Sequence, residues 1–244
     1  MKIEVRTAEY ADIEPLRGLY RLEAGCQIVH DSILGRGMGD PYLILADGRI
    51  AGYGGVWTRY DPGRIMEFYA LPAFSGSVTV LYRELIEASG ATEAEAQTNM
   101  PRMLTALCDF ATDIKADNIL FHDGETTRLT CAGAHFRRRL PEDECPDHDA
   151  DWVIEANGEA VASGGFLCHY NPPYGDIYMA VRESKRRMGY GSYLVQELKR
   201  VCYEAGKRPS ARCSPDNLAS RRTLERAGMH VCGRLLSGRI RKEG

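Results

Sequence analysis

The sequence predicts an α/β protein built from two related modules in tandem. Three observations carry this. Strand and helix patterns alternate through both halves. The order of elements in the second half repeats that in the first. Two hairpin turns, Asp47-Gly48 and Asn157-Gly158, lie 110 residues apart. Each half reads hairpin, strand, helix, strand, helix, strand. The expected bounds are 1–124 for the first module, 125–150 for a connecting segment and 151–244 for the second module.

In the first half, Lys2–Arg6 is a short strand, and a helix runs from the polar Thr7–Asp12 start to about Gly25. Pro41–Ala46 is a compact apolar run that ends at Asp47-Gly48, and Ile50–Tyr60 is its hairpin partner. Arg64–Leu71 is a strand. Val78–Ser89 places Val80, Leu81, Leu85 and Ile86 at helical spacing, with Gly90 past its end. Glu93–Thr98 is a strand, Met100–Ala111 a helix and Asn118–His122 a strand. In the second half, Trp152–Glu155 and Glu159–His169 flank Asn157-Gly158, and the run Asn171–Tyr174 breaks the chain. Asp176–Arg182 is a strand. Gly189–Ala205 is a helix stopped by Gly206, Ser210–Ser214 a strand, and Asn217–Ala227 a helix ended by Gly228. Met229–Ile240 is expected to form a strand pair turned near Ser237-Gly238.

The composition narrows the class. With 244 residues, 44% apolar and 27% charged, the chain can bury a sizeable core. That excludes intrinsic disorder and a small disulfide-stapled scaffold. No stretch approaches the roughly 18 consecutive apolar residues of a membrane span, so no membrane partner is expected. The opening residues, MKIEVRTAEYADIE, lack an apolar signal region, and the expected location is cytoplasmic. The net charge of −3 is unevenly shared. Residues 1–124 hold 11 Lys+Arg against 18 Asp+Glu, a net of −7, and residues 125–244 hold 20 against 16, a net of +4. The basic half suits a polyanionic cofactor, so nucleic acid is not expected as a partner. Eight cysteines are scattered without a CxxC pair. Cys131/His135 and Cys145/His148 have tolerable metal spacing, but a zinc site takes about four ligands. The cysteines read as small buried apolar side chains, and no metal is expected.

The chemistry-bearing stretch is Asp176–Arg200, where a strand runs into a basic, glycine-bearing turn that opens a long helix. The first turn of a helix has free N–H groups and a partial positive charge. Gly189 and Gly191 remove side chains that would block an anion from reaching them, and Arg186 and Arg187 add full charges. A phosphate or pyrophosphate is the expected ligand. Neither the GxGxxG dinucleotide turn nor the GxxxxGK P-loop is present.

The segment Arg186-Arg187-Met188-Gly189-Tyr190-Gly191 resembles the R/Q-x-x-G-x-G/A signature of the GNAT superfamily of acyl-CoA-dependent N-acyltransferases. Met179-Ala180-Val181 resembles the strand that precedes that signature. Asn217 through Ser220 and Leu224 to Gly228-Met229 resembles the family's second motif. The motifs together span about residues 150–240. The resemblance implies two GNAT-like modules, each a mostly antiparallel mixed sheet flanked by helices. It implies acetyl-CoA, or another short acyl-CoA, as co-substrate. In such proteins the strand splays from its neighbour after a bulge. The backbone at Met179, Ala180 and Val181 would then pair with the pantetheine amides. The N–H groups of residues 187–192, including Ser192, would hold the pyrophosphate, Asn217 would contact the arm near the thiol, and Ser220 would join it. Asn217 also reads as a plain helix cap.

Two positions depart from the family. Leu224 stands where many members carry an acid tyrosine, and Arg212 where some carry a base glutamate. Asp176, Tyr178, His169 and Tyr170 are therefore the candidates for proton transfer, and each also reads as ordinary packing or surface. Cys213 could be read as a nucleophile, but direct transfer is what the family implies. The first module looks like a worn copy. Its turn, Leu71–Ser77, has no arginine and one glycine, so a structural or acceptor-shaping role is expected.

The leading expectation is transfer of an acetyl or other short acyl group to a primary amine, on a small molecule or a peptide. The negative first module favours a cationic acceptor. Other readings are a non-catalytic acyl-CoA-binding or regulatory protein, an acyltransferase toxin acting on aminoacyl-tRNA, and a nucleic-acid-binding module. The oligomeric state is expected to be monomer or homodimer.

Overall fold

The structure is a computed structural model that describes residues 1–23, 31–170 and 172–241. The chain divides into two compact units, Met1–Asn118 with Gly233–Gly244, and Ile119–Cys232. The units therefore do not follow the expected bounds of 1–124, 125–150 and 151–244.

The first unit contains β1 (Ile3–Thr7), α1 (Tyr10–Glu23), α2 (Asp31–Gly35), β2 (Gly39–Ala46), β3 (Arg49–Trp57), β4 (Arg64–Ala70), α3 (Val78–Ser89), β5 (Glu93–Gln97) and α4 (Pro101–Phe110). It also takes the start of β6 (Ala111–Asp123) and the end of β12 (Met229–Ile240). Its strands lie in the order β1-β2-β3-β4-β5-β12. Every pair is antiparallel except β4 with β5. The expected end of α1 near Gly25 lies outside the described residues.

The second unit contains the rest of β6, then β7 (Ala134–Arg138), β8 (Trp152–Ala156), β9 (Glu159–Leu167), β10 (Tyr174–Val181), α5 (Tyr190–Glu204), β11 (Arg208–Cys213) and α6 (Leu218–Arg226). The order is β6-β11-β10-β9-β8-β7, with β10 and β11 parallel and the other pairs antiparallel.

Local chemistry explains the elements. Asp47, Gly48, Asn157 and Gly158 all have positive φ, as a two-residue hairpin turn requires. α3 buries Val78, Leu81, Tyr82 and Leu85 on one stripe and stops at left-handed Gly90. α5 buries Leu194, Val195, Leu198, Val201 and Cys202. Leu194, Val195, Leu198 and Val201 pack with Ile177, Ala211 and Cys213 of the parallel strands. Cys213 is thus a core side chain, not an exposed nucleophile, and Leu224 belongs to the same core.

The first unit carries a buried ion pair. Arg17 of α1 donates two hydrogen bonds to Glu67 of β4, at 3.0 and 2.8 Å. Tyr53 donates to the same carboxylate at 2.8 Å. Neither charged side chain has any exposed surface.

Three expectations are corrected. The tail does not turn at Ser237-Gly238, because β12 runs unbroken and pairs Ser237 with Glu95 and Gly238 with Ala94. Gly238 serves a close approach: a Cβ there would lie 2.9 Å from the Thr112 carbonyl oxygen. Tyr174, expected in a chain break, is the first residue of β10. The polar run Pro141–Asp151 is not simply exposed. It is a strap docked on the sheet of the second unit, with Cys145 and Ala150 buried.

Candidate active site

The parallel pair β10/β11 builds the site. The two strands are in register only from Tyr174–Arg208 to Ile177–Ala211. β11 continues with Arg212 and Cys213 paired to β6, while β10 continues with Tyr178 to Val181 paired only to β9. The strands part after Ile177, which leaves one backbone edge of Met179, Ala180 and Val181 without a strand partner. A notch lined by unpaired peptide groups can accept an extended, amide-bearing chain. The parting needs no bulge in β10, whose register against β9 is unshifted. The bulge that the resemblance implied appears instead in the first unit, between β3 and β4 at the Gly55/Val56 step.

β10 leads through a short 3-10 turn, Glu183–Lys185, into the basic loop. Arg187 and Gly189 both have positive φ, 65° and 90°, so the backbone coils before α5 begins. Gly189 is the N-cap of α5 and offers no capping side chain. The N–H groups that open an α-helix have no acceptor within the helix, and Gly189 brings none on a side chain. Such a run of unsatisfied donors at a helix N-terminus fits an anion. The side chains of Arg186, Arg187 and Met188 are exposed around it. Tyr190 and Ser192 point inward, and Ser192 donates its hydroxyl to the Thr223 carbonyl at 3.2 Å. Only the Ser192 backbone remains for a ligand. A Cβ on Gly191 would lie 3.1 Å from a Thr223 methyl and 3.3 Å from a Val181 methyl. This glycine therefore lets α5 pack on α6 and β10.

Asn217 caps α6, its Oδ1 accepting from the Ser220 N–H at 3.0 Å. The cap uses only the side-chain oxygen of this exposed residue, so its amide NH2 makes no part of the cap.

The candidate proton-transfer groups do not stand equal. Asp176 lies one residue before the strands part, with its side chain 7% exposed. One carboxylate oxygen is 3.2 Å from Arg212. The other is buried with no hydrogen-bond partner. Burial raises its pKa from 3.8 to about 6, against the opposing pull of Arg212. Arg212 also donates to the Tyr170 hydroxyl at 2.6 Å and lies over its ring at 4.7 Å. The exposed His169 ring packs on Tyr170, 4.4 Å between centroids. Structure thus gathers Asp176, Arg212, Tyr170 and His169. Tyr178 is turned to another use: its hydroxyl donates to the Asp149 carbonyl at 3.1 Å. Burial, and then the nearby Asp151, Asp147 and Asp149, raise its pKa.

Sequence reading treated Arg212 only as a missing glutamate. Its i+2 offset from Ser210, the register partner of Asp176, puts it on the same face as Asp176, and that offset appears only once strand register is known. Cys131, expected only as a buried thiol, sits against the anion turn, 4.0 Å from the Met188 carbonyl. Among the described residues there is no cluster of three or more His, Cys, Asp or Glu side chains placed to hold a metal. A cleft of about 460 Å³ lies at the two ends of the strap, lined by residues such as Arg138, Arg139 and Asp151, and does not include Asp176 or the turn.

Residues 118–229 match the model of the Acetyltransferase (GNAT) family. That stretch, less than half of the chain, is the part that is similar to the family. Solved structures extend the likeness in fold to the whole chain. A GNAT-family acetyltransferase from Colwellia psychrerythraea superposes with a TM-score of 0.76 at 15% identity, covering 98% of this chain and 100% of that one. A GCN5-related N-acetyltransferase from Sphaerobacter thermophilus gives 0.63 at 18% identity, covering 99% and 97%. A tandem GNAT protein from the clavulanic acid biosynthesis pathway gives 0.61 at 11% identity, covering both chains fully. No curated protein matches the sequence. The likeness in fold therefore extends across both units, to that of tandem GNAT proteins. No described helix is long and apolar enough to cross a membrane.

The first unit repeats the geometry without the chemistry. β4 and β5 also stay in register for a short stretch, ending at Ile65–Ala94. The diagonal pair that is Asp176–Arg212 in the second unit is Arg64–Glu95 there, at 3.6 Å, with the charges exchanged. An arginine cannot accept the proton that a carboxylate can.

Proposed function

We propose that the second unit transfers an acetyl or other short acyl group from its CoA thioester to a primary amine, with Asp176 as general base. The observation that carries this is the continuity from the open strand edge at Met179–Val181 to the uncapped, positive-φ turn at Arg187–Gly189. It offers amide partners for a pantetheine arm and N–H groups for a pyrophosphate on one path. The bound thioester supplies the acyl group. Asp176 receives the proton that an ammonium must lose before its nitrogen attacks the acyl carbon. A pKa of about 6 leaves it ionised near neutral pH and basic enough to accept that proton. Arg212 holds one carboxylate oxygen and leaves the other free to take the proton. Leu224 is sealed in the core, so α6 supplies no tyrosine acid, and the leaving thiolate must take its proton from elsewhere.

The test is calorimetric titration with acetyl-CoA. Arg186→Glu/Arg187→Glu reverses two exposed charges and leaves the packed glycines alone. One site per wild-type chain, weakened roughly tenfold or more in the variant, is the expected result. A folded wild type that does not bind would end the acyltransferase reading. Binding without turnover of any amine would leave the non-catalytic acyl-CoA binder, the reading favoured by the absence of a tyrosine at Leu224.

A further inference from the structure

The strap crosses the face of the second unit that carries Asp176. Ser163, Gly165 and Leu167 of β9 stand opposite Ala180, Tyr178 and Asp176 of β10, so these side chains share one side of the sheet. The helices α5 and α6 cover the other side, through Ile177 and Ala211. The strap is fixed on the Asp176 side at four points. The Ser163 hydroxyl accepts from the Asp147 N–H at 2.8 Å. Tyr178 donates to the Asp149 carbonyl at 3.1 Å, and Arg182 donates to the Glu144 carbonyl. Cys145 packs against Val153 and Ala160.

What the strap presents is negative charge. From Glu142 to Asp151 it holds six acidic residues and no lysine or arginine. Asp143 is neutralised by Arg137, at 2.7 Å. Asp147 accepts from the Asp149 N–H. The carboxylates of Asp149 and Asp151 are exposed and make no ion pair among the described residues, although both lie near enough to Tyr178 to raise its pKa. Three neighbouring cations are occupied, while Arg139, whose backbone N–H donates to the Asp151 carbonyl, keeps a buried Nε without a hydrogen-bond partner. Arg182 pairs with Glu159, Arg212 with Asp176, and Arg138 lies over the Trp152 ring at 4.4 Å. Two residues along β10 from Tyr178, the unpartnered oxygen of Asp176 lies on the same face.

We propose that the acceptor is an amine carrying a second positive charge, with Asp149 and Asp151 of the strap holding that charge while Asp176 meets the reacting nitrogen. This rests on the acyltransferase reading for the identity of the reacting end, and the electrostatic claim can be tested separately. In chain order the strap precedes the β8–β9 hairpin, as α1 and α2 precede the β2–β3 hairpin in the first unit. The acceptor wall is then part of the second unit itself, which bears on the idea of an acceptor-shaping first module.

The experiment compares α,ω-diamines of three to eight carbons with n-alkylamines of the same length, for wild type and Asp149→Asn/Asp151→Asn. The backbone groups of both residues, not their carboxylates, make the strap contacts, so the isosteric change keeps the strap docked. Direct calorimetric binding of each amine is measured first, and acetyl-CoA binding and turnover second. The expected result is that at least one diamine binds wild type more tightly than its monoamine. That preference should fall roughly fivefold for each carboxylate removed, with acetyl-CoA affinity unchanged. Equal binding of diamines and monoamines, or a preference that survives in the variant, overturns the strap proposal even if acetyl-CoA turns over. Diamine preference without acetyl-CoA binding would instead overturn the acyltransferase reading and keep the cation site.

Discussion

Two buried charges in this chain are placed to do different things. Arg17 and Glu67 have no exposed surface, and their hydrogen bonds satisfy one another. Removing one partner strands the other. Arg17→Met should therefore lose about 3–5 kcal/mol of stability, whereas Arg17→Met/Glu67→Leu should lose much less, as read by urea unfolding. Asp176 is buried with half its carboxylate unmet, which is a cost to the fold. Its folded pKa of about 6 lies above the ordinary 3.8, so between those values the folded chain holds more protons than the unfolded one. Wild-type stability should fall as pH rises through that window and level off above it. Asp176→Asn has no such titration and should gain on wild type by on the order of 2–3 kcal/mol between pH 4 and 7, in melts at matched pH. The same variant should lose about 10²–10⁴-fold in turnover and the acid limb of kcat/KM near pH 6. A limb that persists in the variant would remove Asp176 from the role of base.

At the scale of elements, the site depends on how two helices start. α5 begins at a glycine that brings no side-chain cap to its first N–H groups. α6 begins at Asn217, which satisfies the Ser220 N–H itself. Asn217→Ala should cost about 1 kcal/mol of stability as a lost cap, measured by thermal melting. A ligand contact would show as a separate fall in acetyl-CoA affinity, and a pure cap would leave that affinity unmoved. Lys199, within α5, holds the other end of α6 in place. Its ammonium donates to the Glu125 and Ala227 carbonyls at 2.7 and 2.8 Å, joining α5 to the end of α6. The glycines of the motif were legible in the sequence, but their duties were not. Gly189 serves a positive φ, and Gly191 serves helix packing.

At the scale of the molecule, each unit is completed by a strand from elsewhere in the chain. β5 is paired by Leu235–Arg239 of β12, and β11 by Ile119–His122 of β6. Deleting residues 233–244 removes the sheet neighbour of β5, although the cut lies more than a hundred residues away in sequence. Hydrogen exchange of that variant should show lost protection over Glu93–Gln97 and unchanged protection in β8 and β9. Retained protection in β5 would mean that the C-terminal strand adds little to the first unit.

The sequence by itself determined most of the succession of elements, though not α2, β7 or the unbroken β12, together with the tandem repeat and the basic, glycine-bearing turn. These rest on local causes: side-chain periodicity, the residues that tolerate positive φ, and glycines beside arginines at a helix start. It also placed Leu224 and Arg212 where the resemblance implies an acid tyrosine and a base glutamate. Tertiary structure decided what long-range pairing decides. β12 runs straight because Ser237 and Gly238 find partners on β5, and local turn chemistry at Ser237-Gly238 cannot reveal a partner some 140 residues earlier. The polar strap docks because Cys145, Ser163 and Tyr178, far apart in sequence, converge on one face. Asp176 stands out from His169 and Tyr178 because strand register buries it beside Arg212 with one oxygen unmet. Burial and register are properties of the folded sheet, and a carboxylate acquires its altered pKa only there.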